Sequence, residues 1–127
     1  MPGMPKTVAV IGASSNREKF GNKALRAFAH QGYEVVPINP TEADVEGFRA
    51  YASVLDVPGH IDVATVYVPS AVGVKVMEQL AHLGNVDEIW LNPGADDDIV
   101  VARARELGLK TIQACSIIAI GESPSRY

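Results

Sequence analysis

The chain has 127 residues, of which 47% are hydrophobic and 20% charged, and its formal net charge at pH 7 is −4. This size and composition are typical of one domain, residues 1–127, with a core that needs no disulfide, and the acidity argues against a nucleic-acid partner, since such proteins present a broad basic face. With a single cysteine, no signal-peptide apolar region at residues 1–6 and no apolar run near the ~20 residues of a membrane span, we expect a cytoplasmic protein without a membrane partner.

Apolar segments that predict strands alternate with helical patterns along the chain. The predicted strands are residues 7–11, 33–39, 63–68, 88–91 and 110–115. The predicted helices are residues 22–31, 70–83 and a third that begins at Asp96 or Asp97 and ends at residue 107, each followed by a glycine that can end a helix. Such alternation produces parallel strands joined by right-handed crossovers. We therefore predict an α/β fold, a Rossmann-like doubly wound parallel sheet of about five strands in the order 3-2-1-4-5.

Residues 41–62 depart from this regular pattern. The segment is acidic and its apolar residues have weak periodicity. We expect an irregular crossover that contains one short helix near residues 52–56.

The segment that joins the first predicted strand to the first helix is the most informative. It contains Gly12, Ala13, Ser14, Ser15, Asn16, Arg17, Lys19 and Gly21. Backbone N–H groups at a helix start are unpaired and carry partial positive charge, and small residues let an anion approach them closely. Four of the eleven lysines and arginines fall within residues 17–26. This pattern predicts a phosphate-binding loop.

The other strand ends supply further candidate residues. In an open α/β sheet the ligand lies outside the carboxyl ends of the strands, at the switch point beside the first strand. The segments that reach this edge after the loop are Asn39-Pro40, Val68-Pro69-Ser70, Asn92-Pro93-Gly94 and Cys115-Ser116. The prolines either only end the strands or also form stiff, apolar walls of a groove for a flat ring and a flexible chain.

Two residues argue against a nicotinamide dinucleotide as the ligand. The dinucleotide fingerprint needs three closely spaced glycines, whereas Gly12 is followed by no glycine until Gly21. It also needs an acid at the end of the second strand, and Asn39 stands there. A P-loop is absent because no Gly-Lys-Ser/Thr follows the first strand.

Three segments carry a resemblance to a known family. They are residues 8–14 (Val-Ala-Val-Ile-Gly-Ala-Ser), 32–40 (Gly-Tyr-Glu-Val-Val-Pro-Ile-Asn-Pro) and 50–58 (Ala-Tyr-Ala-Ser-Val-Leu-Asp-Val-Pro). In order and spacing they resemble the stand-alone CoA-binding domain proteins, which are similar to the N-terminal domain of the succinyl-CoA synthetase alpha subunit. The resemblance implies that residues 14–17 lie over the CoA phosphates, that Asn39-Pro40 and Val68-Pro69 flank the adenine end, and that residues 92–94 meet the ligand.

The chain departs from the synthetase at two positions. Cys115 is followed by Ser116 where the synthetase has Cys-Pro, and Thr41 follows Pro40 where the synthetase supplies a lysine. Phosphate contact would then depend on the first loop alone, with Arg17 and Lys19 as its cations.

We interpret the chain as a protein that binds coenzyme A or an acyl-CoA, a small-molecule ligand, without catalysis of its own. Ser14 and Ser15 have no base nearby in sequence, the three histidines fit structural roles, and the acidic run 96–98 fits helix capping better than a metal site. Cys115 either faces the crevice, where it could form a mixed disulfide with the CoA thiol, or packs as a small apolar residue, which we favour. The alternatives are an oxidoreductase or transferase with an atypical dinucleotide loop, and a regulatory module whose ligand signals to a partner.

Overall fold

The computed structural model describes residues 5–127. In chain order, its strands are β1 (Thr7–Ile11), β2 (Glu34–Ile38), β3 (Asp44–Val45), β4 (Phe48–Arg49), β5 (Ile61–Val66), β6 (Val86–Leu91) and β7 (Thr111–Gln113). The helices are α1 (Phe20–His30), α2 (Ser70–Leu83), α3 (Asp98–Glu106) and α4 (Ser116–Ala119). Single 3₁₀ turns cover Val54–Asp56 and Pro124–Arg126.

Within the described residues, five parallel strands form the main sheet in the spatial order β2-β1-β5-β6-β7. On the side of β2 that faces away from β1, Ile38 forms one parallel bridge with Tyr51. The predicted fold class is confirmed. The sheet has the 3-2-1-4-5 pattern when the bridge at Tyr51 is counted as its third element, next to β2. The segment predicted as the third strand, 63–68, corresponds to β5 and lies in the fourth position, because the chain crosses from outside β2 to the far side of β1 through residues 52–60.

Strand β1 lies at the centre of the sheet because its residues are apolar on both faces. Val8 and Val10 pack with α1 and α4, whereas Ala9 and Ile11 pack with α2 and α3. Residues 8–11 are at most 2% exposed. Successive side chains of a strand point to opposite faces, so this short run contributes to two separate core layers.

Two parts of the chain differ from the sequence-based expectation. Residues 41–49 contain the antiparallel β3–β4 hairpin, which the weak periodicity did not reveal. The fifth predicted strand is shorter than expected because Cys115 precedes the helix α4. The tail then folds back on α1, where the Tyr127 carbonyl oxygen accepts a hydrogen bond of 3.2 Å from Arg26.

Residues 5–127 contain no helix that is both long and apolar enough to span a membrane.

Candidate functional site

A cavity of about 800 Å³ lies at the carboxyl ends of β1, β2 and β5, between the start of α1 and the inner face of α2. Most of the predicted site residues line it, namely Gly12, Ala13, Ser14, Lys19, Gly21, Asn39, Pro40, Val68, Pro69, Pro93 and Gly94. The cavity therefore stands at the switch point beside the first strand, where ligands of open α/β sheets bind.

Gly12 and Gly21 let three backbone segments meet at the cavity floor. Gly12 has a φ of +94°, and a Cβ built on it would lie 2.5 Å from the Tyr67 carbonyl oxygen. A Cβ on Gly21 would lie 2.1 Å from the Gly12 carbonyl oxygen. Side chains at these positions would clash with backbone atoms. Gly21 thus performs the close helix packing for which the dinucleotide fingerprint uses its third glycine.

The start of α1 is open to an anion. Its N-cap residue is Lys19, and within the described residues no side chain caps this end and no acid occupies the first turn. The β1–α1 loop, residues 12–19, holds its own shape, since Ser14 Oγ accepts from the Asn16 N–H (3.1 Å) and Asn16 Oδ1 accepts from the Glu18 N–H (3.0 Å). A helix end without an internal cap leaves N–H donors and partial positive charge for a ligand.

Two carboxylates from residues 41–49 hold the outer side of this loop. Glu42 accepts hydrogen bonds from the Ser15 N–H (3.0 Å) and the Ser15 hydroxyl, and these bonds lower the pKa of Glu42. Glu46 accepts two bonds from Arg17, of 2.7 and 3.1 Å, and one of 3.0 Å from Asn22. These bonds lower the pKa of Glu46 to about 2. Ser15 and Arg17 thus face the hairpin segment.

Asn39 fastens the turn after β2 to the loop after β1. Its side-chain oxygen accepts from the N–H groups of Thr41 (2.8 Å) and Glu42 (2.9 Å), and its amide donates to the Ala13 carbonyl oxygen (2.9 Å). An aspartate could not make the last bond because an ionised carboxylate only accepts. The asparagine that replaces the ribose-binding acid therefore positions the cavity wall.

A buried hydrogen-bond network supports the floor below Tyr67. The Asn92 amide donates to Thr65 Oγ1 (2.7 Å), and Asn92 Oδ1 accepts from the Ser116 N–H (2.9 Å). The Ser116 hydroxyl in turn bonds Thr65 (2.7 Å) and the Tyr67 hydroxyl (3.2 Å). Burial raises the pKa of Tyr67 to about 12, so this phenol stays neutral at ordinary pH.

Some predicted site residues lie outside the cavity lining. Asn92 is 1% exposed and takes part in the buried network, so its amide groups are satisfied by protein. The Ser70 hydroxyl donates to Asp97, which ties the start of α2 to the residue before α3. Ser15, Asn16 and Arg17 also lie outside the lining.

The sequence did not identify the wall formed by α2. Val72, Lys75, Val76 and Gln79 line the cavity together with residues 52–54. Their spacing of three and four residues places them on one helix face. The amphipathic pattern of residues 70–83 predicted a helix, but it did not single out Lys75 and Gln79.

The charges of the cavity contrast with those of the whole chain. Among residues 5–127, its lining includes Lys19 and Lys75 but no aspartate, glutamate, histidine or cysteine. The chain as a whole has a net charge of −4. A lining of one charge sign between apolar walls attracts ligands of the opposite sign.

Cys115 and His60 lie away from the cavity. Cys115 is half-buried and packs against the core layer that contains α1. His60 precedes β5 and its ring nitrogen bonds the Asp87 carboxylate at 2.9 Å, which raises the pKa of His60. It stands at the amino edge of the sheet, opposite the cavity.

Comparison with protein families and curated proteins assigns relatives to this chain. A family model described as "CoA binding domain" matches residues 6–121. An ADP-forming acetate–CoA ligase from Methanocaldococcus jannaschii is 39% identical over 90 residues, which are 71% of this chain and 13% of the ligase. The chain spans between 11% and 19% of the length of the acetate–CoA ligases and ligase subunits that it matches.

Solved structures have the same architecture. A hypothetical protein from Pyrococcus horikoshii matches with a TM-score of 0.82 and 29% identity, over 90% of this chain and 80% of that one. The apo form of dinucleotide-forming acetyl-coenzyme A synthetase 1 from Candidatus Korarchaeum cryptofilum matches with a TM-score of 0.75 and 30% identity. That match covers 87% of this chain and 26% of the synthetase.

Proposed function

This chain belongs to the CoA binding domain family, and from that premise we propose that it binds coenzyme A or an acyl-CoA in the cavity without catalysing a reaction of its own. The observation that carries the proposal is a largely apolar cavity in an acidic chain. Among residues 5–127, the charged residues of its lining are two lysines, Lys19 and Lys75. Its volume of about 800 Å³ is within the usual range for small-molecule sites.

Two groups of lining residues suit different parts of the ligand. The uncapped start of α1 and the Lys19 ammonium group offer donors and positive charge for the pyrophosphate. Val54, Val68 and Val76 supply apolar surface for the adenine ring or the pantetheine chain. The proposed contact residues are therefore the predicted residues that line the cavity, together with the α2 wall.

The chemistry of the lining supports the proposed absence of catalysis. General acid–base catalysis most often uses a histidine or a carboxylate within hydrogen-bond reach of the reacting atoms. In the part of the chain that the structure describes, the lining has hydroxyls from Ser14, Ser53 and Tyr67 but no histidine or carboxylate, and we assign its two lysines, Lys19 and Lys75, to phosphate binding. A hydroxyl without a base is a weak nucleophile, so we expect these groups to bind ligand only.

Calorimetric titration of the purified protein tests the ligand class. We expect coenzyme A to bind at least about tenfold more tightly than NAD, a difference of roughly 1.4 kcal/mol. Lys19→Met should weaken CoA binding about tenfold or more, since a hydrogen bond to a charged group contributes about 1.5–3 kcal/mol. Lys110→Met removes the same charge at an exposed position outside the lining and should change the affinity little.

NAD binding as tight as CoA binding would favour a dinucleotide-using enzyme instead. The claim that the chain has no catalysis of its own is tested separately, by incubating it with CoA, ATP and acetate. Formation of a thioester by the purified chain would contradict it.

A further inference from the structure

Coenzyme A carries two separate anionic groups, a pyrophosphate and a phosphate on the ribose. The pyrophosphate matches the start of α1 and Lys19 under the proposed function. The ribose phosphate then needs a second cation, because a phosphate removed from water without a partner loses its hydration.

The β1–α1 loop has few groups left for this second phosphate. The Ser15 N–H and hydroxyl are bonded to Glu42, and the Arg17 guanidinium is bonded to Glu46, whose carboxylate is 17% exposed. Turning Arg17 towards the ligand would break both of its hydrogen bonds to Glu46, so that only the Asn22 amide would still donate to that carboxylate. A cation from another element is therefore the better partner.

Lys75 on α2 is such a cation. It lies five residues into α2, about 7.5 Å along the helix axis from Ser70 at the sheet edge. It lines the cavity, and among the described residues it makes no ion pair, whereas Arg103 on the neighbouring helix is paired with Glu78 at 2.9 Å. Gln79, one turn further along the same face, adds an amide donor.

The two lysines of the lining come from different elements, as two separate phosphates would require. Lys19 is at the start of α1 and Lys75 is on α2, so two different helices each bring one lysine to the cavity lining. Val72 and Val76 line the same cavity and provide apolar surface beside Lys75. A ligand with two separate phosphates can then meet one lysine with each.

We infer that Lys75, assisted by Gln79, binds the ribose 3′-phosphate and so makes the site selective for CoA over dephospho-CoA. The inference rests on the proposed function, that CoA binds in this cavity. Lys75 supplies the positive charge that the sequence lacks after the second strand, where Thr41 and Glu42 follow Pro40.

The test is calorimetric titration of CoA and dephospho-CoA into the native chain, Lys75→Met and Lys110→Met. We expect the native chain to prefer CoA by about tenfold, the size of one charge-assisted hydrogen bond. Lys75→Met should lose about tenfold in CoA affinity with less than about a twofold change for dephospho-CoA, so that the preference disappears. Lys75→Arg should retain the preference, and Lys110→Met should behave as the native chain.

Further variants and ligands separate this inference from the proposed function. Lys19→Met should weaken both ligands alike, because both carry the pyrophosphate. Adenosine 3′,5′-bisphosphate should bind more weakly to Lys75→Met than to the native chain. The inference is overturned if the native chain binds CoA and dephospho-CoA equally, or if Lys75→Met weakens both to the same extent, and in either case the proposed function stands. Failure of the native chain to bind CoA at all would remove the proposed function itself.

Discussion

Replacing Gly21 with alanine would test how closely α1 must approach β1. The added Cβ would lie 2.1 Å from the Gly12 carbonyl oxygen, 2.9 Å from the Gly12 carbonyl carbon and 3.2 Å from the Ala13 Cα, all of which are backbone atoms. Ordinary contact begins near 3.4 Å, so α1 would have to move by more than an ångström. Leu25 and Phe28 on the same helix are fully buried, and this movement would loosen their packing.

The expected loss in the free energy of unfolding is about 2–3 kcal/mol. Overpacking a dense core costs about 1–3 kcal/mol when side chains can adjust, and backbone atoms adjust less readily. Alanine's better helix propensity offsets at most about 1 kcal/mol of this, and less near the first turn. For a chain of this length, such a loss lowers Tm by roughly 6–12 °C.

Thermal unfolding followed by circular dichroism, with urea unfolding as a second measurement, provides the assay. Gly73→Ala is the matched control, because Gly73 is also helical but its Cβ would meet only the Val100 side chain, at 3.1 Å. We expect that control to change stability by less than about 1 kcal/mol. Equal stability of the Gly21 and Gly73 variants would refute the close-approach argument. Where Gly21→Ala still folds, its affinity for CoA should fall because the α1 donors are displaced.

Three further predictions concern groups outside the cavity lining. Arg17→Ala should reduce stability but change CoA affinity less than about threefold, since Arg17 is bonded to Glu46, and a tenfold loss of affinity in titration would place Arg17 at the ligand. The pKa of Glu46 is lowered from 4.5 to about 2, so its contribution to stability is present above pH 4.5 and is lost as the pH falls from 4.5 towards 2. The stability of Glu46→Gln, measured by acid unfolding, should lack this part of the pH dependence. A profile equal to that of the native chain would contradict the prediction. Mild oxidation with CoA should yield no mixed disulfide at the half-buried Cys115, and intact-mass analysis, with Cys115→Ser as the control, would reveal an adduct if that is wrong.

The main sheet could be predicted from the sequence because its signals are local. The apolar runs at β1 and β5 are long enough to be buried on both faces, and residues 70–83 were predicted with the bounds that α2 has. The β3–β4 hairpin gave only half of its usual signal. Its two-residue turn has a positive φ at both Glu46 (+52°) and Gly47 (+84°), and the glycine is the usual residue at the second position, whereas asparagine, aspartate or glycine is usual at the first.

The site was harder to predict because it depends on contacts between distant residues. Ser15 and Arg17 are held by acids 27 and 29 residues later in the chain, and no spacing rule relates these positions. Lys75 is a charged residue on an amphipathic helix, and only the fold shows that it lines the same cavity as residues 52–54. Gly12 and Gly21 could be found because a loop that opens a helix beside a central strand needs glycine where backbones meet.

Pro37 in β2 limits the outer edge of the sheet. Tyr51 bonds β2 through the Pro37 carbonyl oxygen (3.0 Å) and the Asn39 N–H (2.9 Å), on the side away from β1. The next ladder bond towards the start of β2 would need an N–H from residue 37, which proline lacks. The ladder therefore ends after one bridge, and residues 41–49 are free to form the hairpin that carries Glu46 to α1. The missing N–H of Pro37 thus leaves residues 41–49 outside the main sheet, where Glu42 and Glu46 bond the outer side of the β1–α1 loop.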